Sequence, residues 1–104
     1  MAEELNIEPI LERIKRIHPS HKAKLEPLIQ ELLTMFDKYL ETHPHNEQNL
    51  LVFAEKLEKV REEAYHIYSE LRSRTKYPSL YDRAVSLLRW QKLSKKVGKL
   101  PRMK

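Results

Sequence analysis

The chain has 104 residues, 40% of them apolar and 34% charged, with a formal net charge of +5. That is enough apolar residue for one modest core and too much for general disorder. The absence of cysteine excludes disulfides, thiol catalysis and thiolate metal sites, while a single glycine argues against tight-turned strands and phosphate-cradling loops.

The first amphipathic segment runs from about Ile7 to Ile17. Ile7, Ile10, Leu11, Ile14 and Ile17 recur at helical spacing. Asn6 is a candidate cap, and Pro9 suits a first turn, where its missing N–H costs nothing. His18-Pro19-Ser20 ends the segment.

The second lies between Ser20 and Glu41. Leu25, Leu28, Ile29, Leu32, Leu33, Phe36, Tyr39 and Leu40 form a wide apolar face. Pro27 leaves two readings: a helix that starts near Leu25, or one that starts after Ser20 and carries the proline inside. His43-Pro44-His45-Asn46 closes it.

The third segment begins after Asn46, a good N-cap. Leu50, Phe53, Leu57, Val60, Ala64, Ile67 and Leu71 step alternately by three and four, which is a heptad seam. With no Gly or Pro before Pro78, the pattern predicts one helix to about Thr75, roughly 45 Å long at 1.5 Å per residue. Such a helix outreaches the short first one. Part of its seam then lacks a cover, and a homodimer through Leu57, Val60, Ala64 and Ile67 is the expected remedy.

The fourth opens at Tyr77-Pro78-Ser79, with Ser79 and Asp82 spaced as a capping box. Its buried face is expected to hold Leu80, Tyr81, Ala84, Val85, Leu87 and Leu88. At 100° per residue, Trp90, Leu93, Val97 and Leu100 fall on nearly the opposite side. Lys92, Lys95 and Lys99 continue the line of Ala84 and Leu88. The apolar stripe therefore changes sides near Arg89, and Trp90 to Leu100 reads as a basic amphipathic helix. Gly98 and Pro101 end it. The whole is expected to be an all-α, antiparallel up-down four-helix bundle with a short first helix, a long third one and a basic C-terminal arm. Residues 1–97 form its one domain and 98–104 a flexible basic tail.

Charge follows the same division. Residues 1–82 carry 12 Lys/Arg against 15 Asp/Glu, whereas residues 83–104 carry eight basic residues and no acid. Arg83, Arg89, Lys92, Lys95, Lys96, Lys99 and Arg102, with Trp90, Leu93 and Val97, are the candidate binding residues. The lysines and arginines suit the phosphates of DNA or RNA. The apolar members instead suit a groove on an acidic partner protein.

Catalytic patterns are lacking. The pairs His18/His21 and His43/His45 fall in connections at opposite ends of a bundle, so they cannot share one metal. Arg61…His66 is similar to the Arg-x4-His motif of HEPN-type ribonucleases, but the same spacing recurs at Arg13…His18 and Arg16…His21, so it identifies no family. No phosphate loop, nucleophile elbow or paired carboxylates appear. No cofactor, metal or small-molecule substrate is expected. The opening Met1-Ala2-Glu3-Glu4 has no charged-then-apolar order and no apolar run spans a membrane, so a cytoplasmic protein is expected. The leading expectation is a non-catalytic accessory protein that binds nucleic acid through its arm with little sequence specificity. The alternative is a protein–protein adaptor whose C-terminal helix docks on its partner.

Overall fold

Apolar residues at spacings of three and four form helices along most of the described residues. The computed structural model describes residues 5–96, with side chains through Gln91. In order these are α1 (Glu8–Lys15), α2 (Lys22–Thr42), α3 (Glu47–Glu63), α4 (Tyr65–Arg74) and α5 (Pro78–Lys96), with no strand among the described residues. The protein is an all-α helical bundle.

The helix starts follow local chemistry. Asn6 accepts the Glu8 N–H at 3.4 Å, and Pro9 sits in the first turn of α1. Asn46 accepts the Asn49 N–H at 2.9 Å and caps α3, as its residue type suggests. Of the two readings of Pro27, the longer helix is adopted: α2 starts at Lys22 and carries the proline in its second turn. All eight residues of its expected apolar face are buried. At the other end of α2, the rings of His43 and His45 lie 2.9 Å from the carbonyls of Tyr39 and Leu40. Those histidines satisfy a helix C-terminus, which otherwise leaves carbonyls unbonded. α5 differs slightly from expectation. Pro78 is its first residue, and the Tyr77 carbonyl accepts the Tyr81 N–H at 2.8 Å, so Tyr77 stands where Ser79 was expected. Proline at the first position has no N–H to lose and its φ is already helical.

The third helix is where sequence and structure part. It does not run on to Thr75; it breaks at Ala64, whose φ of −144° and ψ of 57° lie outside the helical well. Neighbouring contacts show that the chain turns back there. The start of α4 (His66, Ile67, Glu70) faces the start of α2 (Lys22, Leu25, Glu26, Ile29) across a shallow cavity of about 220 Å³. Arg74 then pairs with Glu26 at 2.7 Å. Just beyond α4, Lys76 pairs with Glu41, and Tyr77 meets His45 with ring centroids 6.1 Å apart, both near the end of α2. Thus α4 runs alongside α2 and antiparallel to α3, and α5 runs down alongside α3. The up-down bundle is made by α2, α3, α4 and α5. The short α1 lies against the far end of α3, where Lys59 pairs with Glu8 at 3.1 Å and Lys15 with Glu63 at 3.0 Å.

A heptad seam does not distinguish one long helix from two that share a core, because the inward face reads the same in both. Helix propensity differs by less than about 1 kcal/mol per ordinary residue. Tyr65, His66, Ile67 and Tyr68 are all weak helix formers, so little local preference opposes the turn. Folding back lets Ile67 and Leu71 join the same core as Leu57 and Val60. At its centre Phe53 meets Phe36 and Tyr81 edge-on, with ring centroids at 5.2 and 5.7 Å.

This removes the reason for the expected dimer interface. Leu57, Val60, Ala64 and Ile67 are at most 1% exposed within a single chain. The seam expected to need a second copy is covered by the protein's own α4 and α5.

Candidate nucleic-acid interface

α5 is amphipathic in its first eleven residues. Tyr81, Ala84, Val85 and Leu88 are buried and mark the line that faces the bundle. Leu80 and Leu87 are half-buried at its margins. Four and seven positions beyond Leu88 the sequence has Lys92 and Lys95, at the backbone positions where a helix bound to the same core would carry apolar residues. Trp90 stands almost opposite the buried line and is 66% exposed. The change of face expected near Arg89 is therefore present as far as the side chains are described.

Of the candidate residues, Arg83 and Arg89 are exposed on α5, and neither has an ion-pair partner among the described residues. Lys92, Leu93, Lys95 and Lys96 belong to the helix by backbone; their side chains lie outside the description. Val97, Lys99, Arg102 and the expected tail at 98–104 lie outside the described residues.

The folding back of α4 assembles something the linear pattern concealed. Because α5 descends beside α3, Arg89 and Trp90 come to the end of the bundle that carries the Ala64 corner. There Tyr65 is 67% exposed, and its ring lies 6.2 Å from that of Tyr68 at an interplanar angle of 20°. Burial raises the phenol pKa of Tyr68. The charges of Arg72, Arg61 and Arg89 oppose that rise, and the charge of Glu58 adds to it. Three arginines from three helices thus act on one tyrosine. Arg61 pairs with Glu58 at 2.6 Å, and Arg72 pairs with Asp82. Tyr65, Tyr68, Tyr77 and Tyr81 lie near Arg72, Arg74 and Arg83 in the sequence itself. The gathering of Tyr68 with Arg61 and Arg89 is not visible there, because it depends on the turn at Ala64.

The same turn separates Arg61 from His66. One ends α3 and the other begins α4, so they do not share the single helical face that a ribonuclease-like pair would require. Among the described residues no group of three or more His, Asp or Glu side chains is gathered as metal ligands would be. No described helix is long and apolar enough to cross a membrane. Compared with protein-family models, curated proteins and solved structures, the chain matches none.

Proposed function

We propose that this is a small non-catalytic accessory protein that binds nucleic acid, DNA or RNA, through its basic C-terminal arm, with the helical bundle as a rigid base. The observation that carries the reading is the separation of charge: 15 acids and 12 bases up to Asp82, then eight bases and no acid. Affinity from Lys and Arg on phosphates is strong, salt-sensitive and nearly indifferent to sequence. Among the described residues no helix opens with arginine beside Asn or Gln for reading base edges, so the reading carries low specificity.

The test replaces Lys92, Lys95, Lys96 and Lys99 together by Gln and measures binding to a labelled oligonucleotide over a salt series. Each lost phosphate contact should take about 0.9 from the slope of log K against log salt on duplex DNA. An unchanged slope would remove the arm from the function. A second reading is favoured by one observation, the exposure of Trp90 on a helix whose last part also carries Arg89, Lys92, Lys95 and Lys96. In that reading the arm docks in an acidic, apolar-lined groove of a partner protein, and Trp90→Ala is the most damaging change, as truncation of a buried anchor is.

A further inference from the structure

A basic arm accounts for attraction to phosphates but is indifferent to whether the strand is paired. The corner end of the bundle adds groups of another kind. Among the described residues, Tyr65 and Trp90 are the large hydrophobic side chains left mostly in water. A lone exposed aromatic needs no explanation. Two of them, on α4 and α5, at the end of the bundle where the chain turns back at Ala64, form a combination with chemical meaning. Tyr68, largely buried, holds its ring nearly parallel to that of Tyr65, with centroids 6.2 Å apart. Trp90 follows Arg89 directly and stands on the outward side of α5, where the bundle does not cover it.

Exposed rings beside cations suit nucleobases. Every base has a flat π-face, and stacking on an aromatic side chain is tolerant of sequence, as is phosphate attraction. In a duplex those faces are occupied by neighbouring base pairs; in a single strand they are free. An apolar groove of a partner protein fits less well, because the two rings stand on separate helices.

We infer that Tyr65 and Trp90 are stacking platforms for unpaired bases, and that the nucleic acid bound by this protein is single-stranded. The inference rests on the nucleic-acid reading above and narrows it. Arg89, next to Trp90 in the chain and without an ion pair among the described residues, attracts the phosphates between stacked bases, while the arm supplies the longer-range attraction.

The experiment compares wild type, the double variant Tyr65→Ala/Trp90→Ala and the ring-keeping variant Tyr65→Phe/Trp90→Phe. Each is titrated with a short oligothymidylate single strand and with a duplex of equal length, by fluorescence anisotropy at several salt concentrations. Stacking by an aromatic side chain corresponds to a loss of about five- to 150-fold per base when the ring is removed. The alanine variant should lose at least that factor on the single strand, with its salt slope and its duplex affinity unchanged. The phenylalanine variant should keep most of the single-strand affinity. Trp90 is the chain's one tryptophan, so quenching of its emission by the single strand reports stacking at that position. Equal affinity of wild type for both probes, with no loss in the alanine variant, would overturn the stacking inference and leave the basic-arm reading standing. No binding to either probe would overturn both.

Discussion

Leu57 and Trp90 both lie on apolar stripes at helical spacing, yet one is 0% exposed and the other 66%. The stripe of Leu57 belongs to a core supplied by α2, α4 and α5 as well as its own helix. The stripe that begins at Trp90 starts where α5 has already spent its bundle-facing positions on Tyr81, Ala84, Val85 and Leu88. Periodicity measures whether one side of a helix is apolar; it does not say what lies against that side. The first stripe supplies stability; the second lies off the bundle, and the proposal places binding there.

The largest effect should come from cutting the centre of the first stripe. Phe53 is fully buried between Phe36 and Tyr81, so Phe53→Ala should cost about 3–5 kcal/mol, read from the denaturant midpoint. A loss below about 1 kcal/mol would mean that the three rings do not form the core's centre.

The corner offers a sharper probe. Ala64 is 1% exposed at the reversal between α3 and α4. Ala64→Leu should overpack it and cost about 1–3 kcal/mol. In an unbroken heptad helix the same change would extend a leucine seam and stabilise it. The sign of the change in melting temperature therefore separates the hairpin from the long helix.

A smaller, pH-dependent effect is expected at Asp37. Burial holds its carboxyl above the ordinary value of 3.8, and the charge of Glu41 adds to this. The charge of Lys76 and its backbone N–H act against the rise. A carboxyl whose folded value is raised contributes stability that is complete below its ordinary value and is lost as pH rises through the folded one. At neutral pH ionised Asp37 thus opposes folding. Asp37→Asn should be the more stable protein at pH 7, with the difference shrinking as pH falls through the raised folded value and gone below about 3.8. Glu26, Glu41 and Glu63, held below the ordinary glutamate value by hydrogen bonds to Arg74, Lys76 and Lys15, lose their contribution on acidification in both proteins. The effect of Glu26 and Glu63 cancels from the comparison; that of Glu41, whose charge acts on Asp37, does not. A stability difference independent of pH would reject the assignment to Asp37.

The smallest expected change completes the contrast. Trp90→Ala should alter stability by no more than about 0.5 kcal/mol, as at other exposed sites. A loss comparable to that of a core residue would place Trp90 in the fold and end its role as a binding group.

The sequence by itself determined the helices, most of their ends and the identity of the core. The spacing of Leu25 through Leu40 placed one buried face, and Asn46 placed a cap, because these depend on neighbours within a turn or two. It also determined where bundle-facing apolar residues stop on α5, because helical geometry is fixed once the segment is helical. Only the tertiary structure decided that the third apolar segment is two helices. No proline or glycine marks Ala64, and the choice between a 28-position helix and a hairpin, spanning Glu47 to Arg74, rests on whether Ile67 and Leu71 reach the core shared by Leu57 and Tyr81. That gain is collective, many contacts between residues distant in sequence, and it outweighs local propensities of less than about 1 kcal/mol per residue. The same turn brought Tyr65, Tyr68 and Arg61 to the end where Arg89 and Trp90 emerge. Residues 21 or more positions apart in a chain carry no local signal of becoming neighbours, because only the packing of the helices between them sets where they meet.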